Sequence, residues 1–93
     1  MTVNVNETLE QRANTHGDFH DNATISQEIK HLIFTSPNVA AFLPEQAEAL
    51  DMIAQKIARI CCGDPNEVDH WLDISGYSTL VCKSLTEVKK LPL

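Results

Sequence analysis

The 93-residue sequence has little positive charge and no long apolar run. Its 13 Asp and Glu residues outnumber seven Lys and Arg residues, which gives a formal net charge of -6 at pH 7. Direct nucleic-acid binding is therefore not expected, because phosphate backbones are bound through clustered positive charge. No stretch approaches the roughly 20 apolar residues of a membrane span, and the opening MTVNVNETLEQR does not resemble a signal peptide. We expect a soluble cytoplasmic protein with no membrane partner.

Cysteine is also scarce, with Cys61, Cys62 and Cys82 in the whole chain. An odd number of cysteines without a CxxC pair predicts neither a disulfide framework nor a zinc site. These side chains are expected to be small buried apolar groups. Glycine and proline stand at predicted helix ends, apart from one glycine, and no segment alternates apolar and polar residues as a strand does. The sequence predicts one all-α domain over residues 1–93.

Helical spacing predicts four helices, of which the first two lie in the amino-terminal half. The first covers about 7–15, and the HGDFHD segment after it is predicted to be a loop. The second begins at Asn22, with Asp21 or Asn22 as N-cap, and ends before Pro37. The apolar face of this second helix is predicted to consist of Ile25, Ile29, Leu32 and Ile33.

The third and fourth helices are predicted to follow each other closely. Pro44 suits the first position of the third helix, and Gly63 is expected to end that helix in a left-handed conformation. Asp64 and Glu67 match an N-cap and its capping box, so the fourth helix is predicted to begin at Pro65 and to reach about Leu85. The predicted buried face of the third helix is Ala47, Leu50, Ile53, Ala54, Ile57, Ile60 and Cys61. That of the fourth is Val68, Trp71, Leu72, Ser75, Ser78, Thr79 and Cys82.

The short connection between the last two helices sets the expected architecture. Such a connection makes the two helices run antiparallel as an αα-hairpin. The predicted fold is a small helical bundle built on this carboxy-terminal hairpin. Because a chain of this length buries a modest share of its surface, we also expect a homo-oligomer.

Several polar side chains are predicted to meet around a ligand at the hairpin. Lys56 and Arg59 stand near the end of the third helix, and Asp69, Asp73 and Tyr77 lie on the fourth. Arginine binds carboxylates and phosphates through its paired N–H groups. A cation near the carboxy terminus of a helix also interacts favourably with the helix dipole, which is an alternative role for Lys56 and Arg59. A salt bridge between Asp73 and Arg59 is an alternative role for that pair. The predicted ligand-binding residues are Lys56, Arg59, Asp69, Asp73 and Tyr77, joined by His16 and Asp18 from the amino-terminal segment.

A second pattern of carboxylates suggests magnesium. Glu48 and Asp51 are three residues apart on the third helix and so share a face. Together with Asp73 they provide the oxygen ligands that magnesium prefers. The alternative is that these carboxylates lie on solvated helix faces, in which case no cofactor is expected.

Four pieces of the sequence, THGDF, EALDMIAQKIARI, GDP and DHWLDISGY, together resemble a family of short uncharacterised proteins of phages and prophages. The resemblance covers about residues 9–85 and implies a phage-encoded accessory protein acting in the host cytoplasm. The chain is more distantly similar to the MazG-like all-α nucleoside triphosphate pyrophosphohydrolases. The resemblance implies that Glu48–Asp51 and His70–Asp73 stand for the magnesium-binding ExxE and ExxD motifs of that group. Asp51 and His70 both depart from the carboxylate pattern of that group.

Three functions follow from these patterns. The leading expectation is that the protein sequesters a phosphate-bearing small molecule, such as a nucleotide or a cyclic nucleotide immune signal, without enzymatic turnover. No P-loop or Ser-His-Asp pattern suggests nucleophilic catalysis. The first alternative is a magnesium-dependent pyrophosphohydrolase. The second is an inhibitor that binds a host enzyme through its acidic surface.

Overall fold

A computed structural model of the protein describes residues 4–90, including the side chains of residues 4–87. This part of the chain forms four α-helices and contains no strand, which confirms the all-α prediction. The helices are α1 (Val5–His16), α2 (Phe19–Phe34), α3 (Pro44–Cys62) and α4 (Val68–Lys90), and a short 3-10 turn covers Val39–Ala41. Within residues 4–90, no helix has both the length and the apolar character needed to cross a membrane.

The break between α1 and α2 is much shorter than the predicted loop. Gly17 has a φ of 84°, which turns the chain, and the Asp18 side chain then accepts a hydrogen bond from the Asp21 N–H as the N-cap of α2. The helix therefore begins at Phe19 rather than Asn22, and neither Asp21 nor Asn22 caps it. The aspartate nearest the turn caps the helix because its backbone is extended there, as an N-cap requires.

The helix α3 begins at Pro44 as predicted, but the connection to α4 differs from the prediction. Gly63 has φ -112° and ψ -132°, so it does not end α3 in a left-handed conformation. Asp64 does not cap a helix starting at Pro65. Its side chain and carbonyl instead accept the N–H groups of Asn66 and Glu67 in a turn, at 2.9 and 3.2 Å. This turn delays the start of α4 to Val68.

The bundle is organised around α3, which packs against α2 on one side and α4 on the other. Gly17, just before α2, lies against Cys62 at the end of α3, and Lys30 further along α2 pairs with Asp51 nearer the start of α3, so α2 runs antiparallel to α3. The short turn after Cys62 and the ion pair of Lys56 with Asp73 show the same direction for α4. The αα-hairpin prediction is thus confirmed. Among residues 4–87 the buried apolar residues are three alanines of α3, which is consistent with close helix packing on two sides: Ala49, Ala54 and Ala58.

The predicted buried faces are partly wrong. On α3 the prediction holds for Ala54, whereas Ile57 and Cys61 are exposed. Leu32 of α2 is exposed as well, and so is Cys82, while Cys62 is half-buried. Ala49 and Ala58 are buried although they do not lie on the predicted face of α3. A single apolar face cannot include them, because α3 is covered on two sides.

The packed face of α4 is not the predicted one. Every residue of the predicted face is exposed, including Trp71, whose Nε1–H donates to the Pro65 carbonyl at 2.9 Å. The face turned towards α3 includes His70, which is 2% exposed, and the half-buried Ile74, Tyr77 and Val81. Packing selects this face because His70 has a buried hydrogen-bond partner on α1, which apolar periodicity does not register.

Candidate functional site

The turn between α1 and α2 is clamped to the turn between α3 and α4. The Thr15 carbonyl accepts two hydrogen bonds, from the Asp64 N–H at 3.0 Å and from His70 Nε2 at 2.9 Å. Gly63 lies so close to this turn that a Cβ there would collide with the backbone of Thr15 and His16. The THG and GDP segments of the sequence therefore meet in space, although they are about 45 residues apart.

Positive charge gathers at this junction. The rings of His16 and His70 lie 5.2 Å apart between centroids, at an interplanar angle of 52°. Burial lowers the pKa of His16, and the positive charges of Arg59, His70, Lys56 and Arg12 lower it further. The neutral form of the His16 imidazole is therefore favoured, and Arg12 and Arg59 bring positive charge to its surroundings.

A cavity of about 610 Å³ opens beside His16, between α1, α2 and α3. Arg12 and Arg59 both line it, from α1 and α3. Neither arginine forms an ion pair with any carboxylate of residues 4–87. The polar residues that line the cavity are Arg12, His16, Asp18, Asn22, Ser26, Gln27, Lys30, Gln55 and Arg59.

Asn22 lines the cavity and connects the start of α2 to the end of α1. Its side-chain Nδ2 donates to the carbonyls of His16 and Asp18, the latter at 3.0 Å. Because both partners are carbonyls, they fix which end of the amide carries the nitrogen. The Oδ1 atom is buried and receives no hydrogen bond from residues 4–87.

Two lysines near the cavity are already neutralised by carboxylates. Lys30 lines the cavity, and its Nζ lies 3.1 Å from Asp51 Oδ1. Lys56 lies between α3 and α4, where its Nζ is 3.0 Å from Asp73 Oδ2. Its side chain is 11% exposed, against 47% for Asp73. Asp73 therefore pairs with Lys56, and the alternative salt bridge to Arg59 is not formed.

The cavity brings together only some of the predicted ligand-binding residues. His16, Asp18 and Arg59 line it, whereas Lys56 and Asp73 form their ion pair outside it. Asp69 is exposed in the first turn of α4, and Tyr77 is half-buried on the same helix, and neither lines the cavity.

Sequence reasoning missed Arg12 and the polar residues of α2. Arg12 precedes His16 by four residues, which places both on one face of α1. Asn22, Ser26 and Lys30 repeat at the same interval and form a polar stripe along α2 that faces the cavity. Spacing of four residues indicates which side chains share a helix face, but it does not show that the faces of α1 and α2 meet at one cavity.

The three residues predicted to bind magnesium are not gathered at one point. Glu48 is exposed, and Asp51 and Asp73 are each held by a lysine. Among the residues that the structure describes, no group of three or more His, Cys, Asp or Glu side chains is arranged to hold a metal ion. A magnesium ion would have to displace both lysines and draw the carboxylates together.

Comparison of the chain with protein-family models, with curated proteins and with solved structures finds no match. The resemblances to phage proteins and to MazG-like enzymes stay predictions from the motifs. The geometry of the cavity is thus the main guide to function.

Proposed function

We propose that the protein binds a phosphate-bearing small molecule, such as a nucleotide, in the cavity between α1, α2 and α3. The observation that carries this proposal is the pair of guanidinium groups, Arg12 and Arg59, that line one cavity without a carboxylate partner among residues 4–87. Guanidinium groups bind phosphate oxygens through paired N–H donors. Two of them on facing helices suit a group with several negatively charged oxygens.

The electrostatics of the junction support an anionic ligand. Arg12 and Arg59, which both lower the pKa of His16, repel each other, and a bound phosphate would relieve that repulsion. The amino terminus of α2 borders the same cavity through Phe19, and the dipole of a helix favours negative charge at that end. The Asp18 carboxylate also lines the cavity, where its Oδ2 accepts a hydrogen bond from the Asp21 N–H.

The rest of the cavity suits the non-phosphate part of a nucleotide. Gln27 and Gln55 line the cavity with amide groups, which can bind the N–H and O–H groups that bases and riboses carry. Phe19 and Leu9 line the cavity with largely exposed apolar side chains, against which a base can pack. The volume of about 610 Å³ lies in the usual range of small-molecule sites.

The proposed activity is capture of the ligand without turnover. The lysine partners of Asp51 and Asp73 leave these carboxylates poorly placed for a metal-dependent hydrolysis. If the phage resemblance holds, a cyclic nucleotide immune signal is the kind of ligand that such a protein would sequester. The hydrolase and the inhibitor of a host enzyme stay alternatives that the same experiment separates.

The test is to mix the purified full chain with a panel containing inorganic phosphate, mononucleotides, triphosphates and cyclic dinucleotides. Native mass spectrometry then identifies what is retained, and chromatography identifies what is released. The proposal expects one intact nucleotide per cavity. Arg12→Ala and Arg59→Ala should each weaken its binding by about tenfold or more, the usual effect of losing a charged hydrogen-bond donor.

The matched control is Lys83→Gln, which removes one exposed positive charge on α4, away from the cavity. Unchanged affinity in both arginine variants would overturn the proposal, and so would no retention of any member of the panel. Release of monophosphate and pyrophosphate that requires magnesium and disappears in Asp73→Ala would establish the hydrolase instead. Stoichiometric capture of one identified host enzyme, with no small molecule retained, would favour the inhibitor.

A further inference from the structure

The outer side of α4 carries large apolar side chains around a bare glycine. This helix packs mainly on α3, which leaves the opposite side uncovered. Leu72 and Leu80 stand four residues before and four residues after Gly76, and they are 60% and 61% exposed. A Cβ at Gly76 would have nothing within 4 Å. Residues four apart lie on one helix face, so the two leucines flank an open, smooth position.

Charged residues of opposite sign stand at the two ends of the same face. Asp69 lies seven residues before Gly76, and Lys83 lies seven residues after it. Both side chains are exposed, and neither forms an ion pair with another side chain of residues 4–87. Seven residues is close to two helical turns, so both charges share the face of Gly76 and the leucines.

This arrangement is complementary to itself when one copy is reversed. We propose that two copies of the chain associate through α4, with the helices antiparallel across a two-fold axis at Gly76. Asp69 of each copy then faces Lys83 of the other, and Leu72 faces Leu80. A two-fold interface requires such self-complementarity, because each patch meets a second example of itself.

The glycine at the centre has a physical role in this pairing. Glycine weakens a helix interior relative to alanine, and nothing in the single chain requires a glycine at position 76. At a crossing of two helices, the absence of a side chain lets the backbones approach closely and brings the flanking leucines into contact. Association of two copies through α4 therefore explains why a glycine stands at position 76, which the structure of a single copy does not.

The large surface area of the chain also favours association with a second copy. The accessible surface is 7026 Å² for a 10.4 kDa chain, whereas a compact monomer of that mass exposes about 5,400 Å². The difference, about 1,600 Å², belongs to the whole chain, and the leucines and opposite charges of α4 are what locate the contact on this helix. The buried apolar residues of the described chain are all alanines, so the core of a single copy is small.

The test is a charge exchange on the full chain, followed by sedimentation equilibrium. The wild type should sediment as a dimer of twice 10.4 kDa. Asp69→Lys and Lys83→Asp should each raise the dissociation constant by about tenfold or more, because like charges then face each other twice. The double variant should return to within about threefold of the wild type, because opposite charges face each other again.

Gly76→Leu supplies a second measurement that does not depend on charge. The added side chain meets open space in one copy, so the helix content should be unchanged, but the crossing is blocked and the dimer should dissociate. A monomeric wild type at high protein concentration would overturn the proposal. A dimer that survives Gly76→Leu, or a double charge variant weaker than both single ones, would overturn it too. The ligand cavity lies within α1, α2 and α3, so monomeric variants should retain nucleotide binding and the two proposals fail separately.

Discussion

Replacement of Gly63 by alanine should cost a large part of the stability of this fold. The new methyl group would collide with backbone atoms of Thr15, His16 and Gly17, which no side-chain rotation can relieve. Such overpacking costs about 1 to 3 kcal/mol. Separating the two turns also breaks the hydrogen bonds from Asp64 N–H and His70 Nε2 to the Thr15 carbonyl, each worth about 1 kcal/mol.

The free energy of unfolding should therefore fall by about 3 to 5 kcal/mol, out of the 5 to 15 kcal/mol typical of a small domain. Urea unfolding followed by circular dichroism measures it, and the midpoint should fall by at least about 1 M. The control is Gly76→Ala, measured on dilute monomeric protein, which should gain up to about 1 kcal/mol because its surroundings are open. If the free energy of unfolding of Gly63→Ala lies within about 0.5 kcal/mol of the wild-type value, the close contact between the two turns is refuted.

Three further predictions concern the ion pair, the histidine and the first helix. Asp73→Ala leaves the Lys56 ammonium without its partner, so unfolding should become easier by about 1 to 3 kcal/mol, whereas the added change Lys56→Met should recover most of that loss. The folded-state pKa of His16 is lowered, so the unfolded chain binds the proton more tightly, and stability should fall as the pH drops below about 6.5. His16→Gln should flatten that dependence. Asn4→Ala removes the N-cap of α1 and should cost about 1 kcal/mol, seen as faster amide exchange in α1.

Each of these predictions has an outcome that contradicts it. Equal stability of Asp73→Ala and wild type would show that the ion pair contributes nothing. An unaltered urea midpoint profile from about pH 7.5 to pH 5.5 in His16→Gln would assign the dependence to other groups. Unchanged exchange in α1 after Asn4→Ala would mean that packing against α3, rather than the cap, holds this helix.

Local chemistry made part of the fold predictable. Pro44 marks the start of α3 because a proline there lacks only an N–H that the first turn does not use. The antiparallel hairpin followed from the short connection. The start of α2 was missed because Asp18, Asp21 and Asn22 are all good capping residues, and the turn at Gly17 decides among them.

The packed face of α4 was missed for a tertiary reason. Apolar periodicity selects Trp71 and Leu72, but the structure buries His70, whose partner is a carbonyl on α1. Contacts between helices distant in sequence leave no periodic signal. Gly63 is a second example. The sequence predicts that it ends α3 in a left-handed conformation, whereas in the structure it lets the α3–α4 turn approach the backbone of the α1–α2 turn.

The cavity was half predictable. Arg59, His16 and Asp18 were identified as polar groups of the right chemistry, and all three line it. Arg12 was not identified, because the position of α1 against α3 is a tertiary property. Lys56 was predicted to contact the ligand, but it forms an ion pair with Asp73 instead. The sequence does not show which carboxylate a lysine near a helix end will contact.

The central claim is that Arg12 and Arg59 form one anion site, and calorimetric titration of the nucleotide identified by native mass spectrometry tests it most directly. The expected result is one ligand bound per cavity, binding at least about tenfold weaker in Arg12→Ala and in Arg59→Ala, and wild-type affinity in Lys83→Gln. Equal affinity in all four proteins would contradict the account.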